Sequence, residues 1–180
     1  AYPLSNGGVN RYEPDTGAFL GVFVPAGAGG LVYPGRAMFG PNGNFYVNDP
    51  FGSGKVVVFR GTTGAFLGAF GWPGIFPIDM TFGPDGQLYV ASGIDNVSVV
   101  RVNPQSGLIE EALIPEGSGL AFISGMSFGP DGNLYMGGSD SSGGQDNVVF
   151  RYEIDSRALS IFTVPEPGIG PSFLTNIAFG

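Results

Sequence analysis

The sequence predicts an all-β chain built from copies of one structural repeat. The motif Phe-Gly-Pro-(Asp/Asn)-Gly-(Asn/Gln)-(Leu/Phe)-Tyr occurs at Phe39–Tyr46, Phe82–Tyr89 and Phe128–Tyr135. The last two residues of the chain, Phe179 and Gly180, repeat the first two residues of the motif. The phenylalanines that open successive copies lie 43, 46 and 51 residues apart. A period of this size is typical of repeat architectures.

Each repeat is predicted to contain four short strands. In the second copy these are Met80–Phe82, Gln87–Val90, Val97–Val102 and Leu108–Ile114. The third strand is rich in β-branched residues, which favour extended structure. No ten-residue stretch keeps a helical spacing of apolar residues without Gly or Pro, so no helix is predicted. Four antiparallel strands in a repeat of this length are typical of a β-propeller blade.

We therefore predict a single β-propeller array over residues 1–180, with three complete four-stranded blades and one blade split between the termini. The expected blade limits are 1–37 (partial), 38–79, 80–125, 126–175 and 176–180 (partial). Four-stranded sheets are expected within Met38–Phe70, Met80–Ile114 and Met126–Val164, and residues 115–125 are expected to cross to the next blade.

The turns of the motif are interpreted as structural because they recur in every copy. Pro presets φ, Gly accepts a positive φ, and Asp or Asn bonds to its own backbone. The residues predicted to shape these turns are Gly40, Pro41, Gly43, Gly83, Pro84, Asp85, Gly86, Gly129, Pro130, Asp131 and Gly132. The recurrent Arg60, Arg101 and Arg151 at the end of the third strand are interpreted as structural or surface groups for the same reason.

The motif at Phe128–Tyr135, together with Arg11–Leu20, resembles the NHL-like and virginiamycin-B-lyase-like β-propeller repeats of secreted bacterial proteins. The resemblance covers essentially the whole chain. It implies a β-propeller fold and a bacterial protein that is secreted or lies at the cell surface. The lyase-like relatives are expected to depend on a histidine acting near a metal, and this chain has no histidine. That activity is not carried over, and the chain is predicted not to be an enzyme.

Composition excludes several kinds of function. The net charge is −8 and the seven basic residues are spread singly, which excludes nucleic-acid binding through phosphate neutralisation. No apolar run is long enough to span a bilayer. Without His or Cys, the usual nucleophilic triads and zinc sites cannot form, so no cofactor is required. Lys55 is interpreted as a solvated lysine. The adjacent Glu110 and Glu111 are expected to face opposite sides of a strand.

Candidate binding residues lie in the longer loops, on the face opposite the motif turns, where propellers usually bind ligands. Asp140 and Asp146 belong to the loop that is richest in oxygen-bearing side chains, and they are candidate calcium ligands. Asp49, Asp95 and Asn96 lie in equivalent loops and are candidate ligand-binding residues.

Trp72, the single tryptophan, is a further candidate for ligand binding, since an exposed indole stacks on sugar rings. Packing between blades is the alternative role for this side chain.

Three functions remain open from the sequence. The favoured one is a non-enzymatic extracellular or cell-surface scaffold that assembles or binds through its surfaces. The second is a metal-dependent lactonase-like or lyase-like propeller enzyme, with Asp49, Asp95 and Asp140 as the candidate metal ligands. The third is a carbohydrate-binding propeller that uses Trp72 and the Asn and Asp residues of the loops.

The strand order at the termini predicts a partner made of the same repeat. The chain has a third strand at Val9–Tyr12 and a first strand at Asn176–Phe179, so joining them leaves a blade without most of its second strand. Unpaired strand edges recruit other strands. Each of these two strands is therefore expected to pair with a neighbouring copy or with flanking repeats, in a closed ring or an extending filament.

Overall fold

The computed structural model describes residues 7–93, 97–141, 147–163 and 177–179. The chain forms two compact units, Ala1–Pro73 (unit 1) and Gly74–Gly180 (unit 2). Within the described ranges the regular elements are β-strands, apart from one 3-10 turn at Ala28–Gly30. The all-β prediction is therefore confirmed. None of the helical structure in these ranges is long and apolar enough to cross a membrane.

Unit 1 contains a two-stranded antiparallel sheet and one complete four-stranded sheet. The two-stranded sheet pairs β1 (Val9–Tyr12) with β2 (Phe19–Val24). The first complete blade has its strands in chain order: β3 (Ala37–Phe39), β4 (Phe45–Asp49), β5 (Lys55–Phe59) and β6 (Phe66–Phe70).

Unit 2 contains two further complete blades, each an antiparallel sheet with its strands in chain order. The second complete blade consists of β7 (Pro77–Phe82), β8 (Leu88–Ser92), β9 (Ser98–Val102) and β10 (Ile109–Ile114). The third consists of β11 (Leu120–Phe128), β12 (Leu134–Asp140), β13 (Val148–Tyr152) and β14 (Leu159–Thr163). The three complete blades and the two-stranded sheet, which is a partial blade, confirm the predicted partial β-propeller. The prediction that one array spans both units stays a prediction.

Two first strands begin earlier than the sequence predicted. β7 begins at Pro77 instead of Met80, and β11 begins at Leu120 instead of Met126. Residues 120–125 were expected to lie in a crossing loop, but they pair with the end of β12 across two register irregularities. From the sequence, this stretch was expected only to connect two repeats. Burial of Leu120 and Ile123 keeps it in the sheet.

The predicted terminal strands have different outcomes. Val9–Tyr12 is a strand and pairs with β2. Ile177–Phe179 does not form a strand, so the expected first strand is not seen there, and Asn176 lies outside the described residues. The ring of Phe179 instead contacts that of Tyr135, with the two centroids 5.0 Å apart.

The middle strands of the blades are apolar and form the buried part of each sheet. Every side chain of β4 and β8 is buried, whereas most positions of β6 and β14 are exposed or half-buried. A sheet that is apolar on both faces must be covered on both sides, which is the packing rule of repeat proteins. The core of unit 1 consists of Phe23, Val24, Leu31, Phe45, Val47, Val57 and Phe59.

The three motif turns share one geometry. In the first, the Gly40 N–H donates to the Asn44 carbonyl at 2.8 Å, and the Gly43 N–H donates to the Gly40 carbonyl at 2.9 Å. Gly43 has φ of 76°, and the equivalent Gly86 and Gly132 have 75° and 76°. The side chain of the residue before each of these glycines accepts from the backbone N–H two positions further on, as expected for such turns.

The tyrosine that ends each motif holds the turn from the sheet side. The hydroxyl of Tyr89 donates to Asp85 Oδ2 at 3.0 Å, and that of Tyr135 donates to Asp131 Oδ2 at 2.9 Å. In the first copy, Asn42 Nδ2 donates to the Tyr46 hydroxyl at 2.9 Å. These hydrogen bonds between the tyrosines and the turns were not predicted from the sequence. The available signal was their constant spacing from the Asp or Asn of the turn.

We predict that Gly43→Ala lowers the free energy of unfolding of unit 1 by about 1 kcal/mol, because Ala resists the left-handed region. An added Cβ would meet no atom within 4 Å, so steric overlap does not contribute. Gly68→Ala is the matched control, since Gly68 has equally open space without a positive φ. Urea unfolding followed by Trp72 fluorescence measures both, and equal stability of the two variants would contradict the prediction.

Candidate functional site

The loop face of the first complete blade is defined by residues 31–36, 50–54 and 71–73. Because neighbouring strands run antiparallel, the start of β3, the loop between β4 and β5, and the end of β6 lie at the same edge of this sheet. The motif turn at Gly40–Gly43 lies at the opposite edge. This arrangement agrees with the division into two faces that the sequence analysis assumed.

Asp49, predicted to bind a ligand, has both carboxylate oxygens occupied by its own chain. It ends β4 and is fully buried. Its Oδ1 accepts from the Tyr33 N–H at 2.6 Å, and its Oδ2 accepts from the N–H groups of Val32 at 3.1 Å and Ser53 at 2.8 Å. A carboxylate bonded in this way holds two loops together. The structure therefore gives Asp49 a positioning role, and its part in ligand binding stays a prediction.

The position of Asp49 has a different residue in each blade. In the second blade, Ser92 Oγ accepts a single bond, from the Phe76 N–H at 3.2 Å. In the third, Gly138 leaves room for the carbonyl oxygen of Phe122, which an added Cβ would overlap. Asp49 and Ser92 bind the segment that enters the first strand of their blade, whereas Gly138 packs against the first strand itself. Asp49 differs from the others because it also binds the next loop of its own blade.

Three aromatic or apolar side chains are exposed on the loops that Asp49 holds. Phe51 is 67% exposed, Tyr33 47% and Val32 38%. Trp72 lies further out on the same face and is half-buried, with its ring centroid 6.4 Å from that of Phe70. Phe70 belongs to the same blade as Trp72, so this contact is not one between blades. The role of Trp72 in ligand binding stays a prediction.

Of the other predicted site residues, one is described by the structure and three are not. Asp140 ends β12, is half-buried and lies opposite Leu120 in the sheet. Asp146, Asp95 and Asn96 lie outside the described residues. Among the residues that are described, no group of three or more His, Cys, Asp or Glu side chains is placed to hold a metal ion. Calcium binding therefore stays a prediction.

A cleft of about 90 Å³ lies within unit 2, where the second and third complete blades meet. The sequence did not predict it, because its walls come from two different blades. One side is formed by Tyr89, Arg101, Glu111 and Leu113, and the other by Tyr152, Ile154 and Arg157. Two guanidinium groups, two phenols and one carboxylate, together with the apolar side chains of Leu113 and Ile154, thus surround a small space.

Glu110 and Glu111 do not face opposite sides, contrary to the prediction. A register irregularity between Ile109 and Glu111 places two residues of β10 against one residue of β9. Both carboxylates then reach Arg101, with Nε 3.7 Å from Glu110 and Nη1 3.4 Å from Glu111. The alternation that separates neighbouring side chains fails at a bulge of this kind.

An ion pair joins the two blades at the cleft. Arg157 Nη2 lies 2.5 Å from Glu111 Oε1. Arg157 has φ of 59°, in the left-handed region that disfavours side chains. Both partners replace glycines of the repeat: Gly17, Gly64 and Gly107 at the position of Arg157, and Gly21 and Gly68 at that of Glu111. Two departures from the repeat therefore meet in space, which sequence comparison of the repeats alone could have flagged.

The phenols of the cleft keep their protons at neutral pH. Burial, followed by the nearby Asp85 carboxylate, raises the pKa of Tyr89 to about 12. Burial also raises the pKa of Tyr152. The Tyr89 hydroxyl uses its proton to donate to Asp85 Oδ2.

Several solved β-propellers are similar to this chain. Virginiamycin B lyase from Staphylococcus aureus has a TM-score of 0.63 and 17% identity, over 90% of this chain and 50% of that one. A streptogramin B lyase has a TM-score of 0.63 and 20% identity, over 90% and 49%. The extracellular domain of a one-component system from B. thetaiotaomicron has a TM-score of 0.61 and 12% identity, over 96% and 22%. No protein-family model and no curated protein matches the sequence.

These similarities establish a virginiamycin-B-lyase-like β-propeller fold. The chain spans at most about half the length of these neighbours. They also correct the prediction that the chain is not an enzyme, because two of the neighbours are lyases. The absence of His and Cys was too weak a ground for that prediction. At 17% and 20% identity the likeness defines the fold and transfers no catalytic residue.

We expect Arg157→Gly to be more stable than Arg157→Ala by about 1 kcal/mol, because only Gly relieves the left-handed strain. Both variants lose the ion pair with Glu111, whose contribution is small because the Arg157 side chain is 68% exposed. Chemical denaturation of the two variants side by side measures the difference. Equal stabilities would show that the backbone at residue 157 is unstrained.

Alkaline pH should destabilise unit 2 through Tyr89. Its pKa in the folded chain, about 12, lies above its ordinary value of 10.0, so folding favours the neutral phenol. The resulting stabilisation is complete below pH 10 and is lost as the pH rises toward 12. Unfolding measured at a series of pH values should show a smaller alkaline loss for Tyr89→Phe than for the unaltered chain. An identical loss in both proteins would contradict the assignment.

Proposed function

We propose that this chain is part of an extracellular or cell-surface β-propeller that acts as a binding scaffold and is completed by further copies of its own repeat. The observation that carries the proposal is the sheet of β1 and β2. It has two strands in the described part of the chain, whereas each of the other three sheets has four. A strand edge without a neighbour offers a row of backbone groups to another strand.

Exposed apolar side chains on the same sheet support this proposal. Tyr12, Phe19, Leu20 and Val22 are each more than half exposed. In the complete blades the residues equivalent to Tyr12, namely Phe59, Val102 and Tyr152, are buried, whereas Phe66 and Leu67, equivalent to Phe19 and Leu20, are 52% and 45% exposed. If a partner covered the exposed apolar side chains of the β1–β2 sheet, each Å² of apolar surface removed from water would stabilise the assembly by on the order of 25 cal/mol.

The size of the neighbours supports a partner of comparable length. About half of virginiamycin B lyase and of the streptogramin B lyase is matched by this chain, which leaves a similar length unmatched in each. The partner in the proposal is therefore an equal length of the same repeat, supplied by a second copy or by flanking repeats. The extracellular domain among the neighbours supports a location outside the cell.

The native mass of the particle tests the assembly. We expect a concentration series measured by light scattering to show two or more chains of 18.6 kDa. Val22→Glu should shift the particle toward a single chain, because it places a charge on the surface that a partner covers. Leu108→Glu is the control, since Leu108 is 68% exposed but lies on a complete blade. A single chain at every concentration would contradict assembly by this chain alone.

A second candidate function is enzymatic, and the two lyase neighbours favour it. In this case the completed propeller would act on a streptogramin-like or lactone substrate with the help of a metal ion. Turnover that a chelator abolishes would support this candidate. The binding scaffold is preferred because the two-stranded sheet of β1 and β2 supports it directly.

A further inference from the structure

We propose that the loop face of the first complete blade binds a linear, uncharged polysaccharide along an aromatic strip formed by Tyr33, Phe51 and Trp72. This inference deepens the proposed binding function by naming a ligand class and a surface. The surface lies entirely within unit 1, so it does not depend on how the propeller is completed.

The topology of the blade places the three residues in order along one edge of the sheet. Tyr33 precedes β3, Phe51 lies between β4 and β5, and Trp72 follows β6. All three positions are at the same edge of the sheet. Neighbouring strands lie about 4.8 Å apart, so the distance from the first strand to the fourth is about 14 Å. An array of this length suits an extended ligand of several sugar units and not a compact molecule.

Two of the three segments that carry the strip, those with Tyr33 and Phe51, are held in place before any ligand binds. The buried Asp49 carboxylate accepts from the backbone of both loops, at Tyr33 and at Ser53. Leu31, just before Tyr33, is fully buried in the core. Side chains that are already ordered lose less conformational freedom on binding. The equivalent Ser92 makes one such bond, so this brace is a property of the first complete blade.

The chemistry of the strip favours an uncharged sugar polymer. Aromatic faces stack on the apolar faces of sugar rings, and the Tyr33 hydroxyl provides a polar group for a sugar hydroxyl. The acidic side chain that borders these loops, Asp49, is buried and directed inward, and the basic residues at this edge are the half-buried Arg36 and the exposed Lys55. The chain has a net charge of −8, which disfavours an acidic polymer.

The area of the strip argues against a protein partner. Phe51 is 67% exposed and Tyr33 is 47% exposed, while Trp72 is half-buried. A buried aromatic side chain covers about 150–250 Å², so the strip offers on the order of 300 Å². A stable protein interface needs about 800 Å² on each side. Two or three stacked sugar rings need far less.

Affinity electrophoresis in native gels tests the proposal. The probes are mixed-linkage β-glucan, xyloglucan and galactomannan as uncharged polymers, and alginate as an acidic one. We expect at least one uncharged polymer to retard the chain and alginate to have no effect. Tyr33→Ala and Phe51→Ala should each weaken the interaction about fivefold, as expected for the loss of one aromatic contact.

Phe66→Ala is the matched control. Phe66 is 52% exposed and lies in the same blade, but it begins β6 at the edge that carries the motif turn. The proposal fails if no uncharged polymer retards the chain, if alginate alone does so, or if Phe66→Ala weakens binding as much as Phe51→Ala.

The native mass of each variant separates this proposal from the assembly proposal. Weaker retardation of Phe51→Ala with an unchanged mass supports the strip as a ligand site. If Phe51→Ala instead changes the mass and no polymer binds, the loop face is an interface between chains. That outcome would overturn the polysaccharide inference and leave the proposed assembly standing.

Discussion

The fold depends on one constraint, which is that each blade is a thin sheet with apolar side chains on both faces. The middle strands β4 and β8 are buried along their whole length, so neither blade is stable while one face meets water. Within unit 2, the second and third complete blades meet this requirement where they share one core. The two-stranded sheet β1–β2 keeps large apolar side chains exposed, which is why its completion by further repeats is central to the proposed function.

Buried polar groups in this protein connect segments that are distant in sequence. Asp49 holds two loops, and Ser92 holds the segment that enters its blade. Asp79, which the sequence analysis overlooked, accepts from the Met126 N–H at 2.6 Å and so joins the first strands of two successive blades. Each of these groups is hydrogen-bonded, as a polar group removed from water must be. They determine where the apolar sheets join.

Functional information in a repeat protein lies where one copy departs from the others. The motif turns and their tyrosines are alike in all three copies, and they build the blade. Asp49 and the pair Glu111–Arg157 are departures, and each marks a place where the structure brings distant segments together. The lyases with the same fold show that this scaffold supports catalysis as well as binding, so composition alone does not decide between the two.

The sequence by itself determined the strands, the turns and the blade, because these depend on local preferences: β-branched runs, and Gly with a positive φ as at Gly43. Only the tertiary structure decided which polar side chains face inward. The carboxylate of Asp49 accepts from Val32 and Tyr33 on another loop, a contact that the sequence did not predict. Likewise, a bulge turned Glu110 and Glu111 toward one arginine. Such contacts depend on register and on neighbouring blades, which a repeat pattern does not encode.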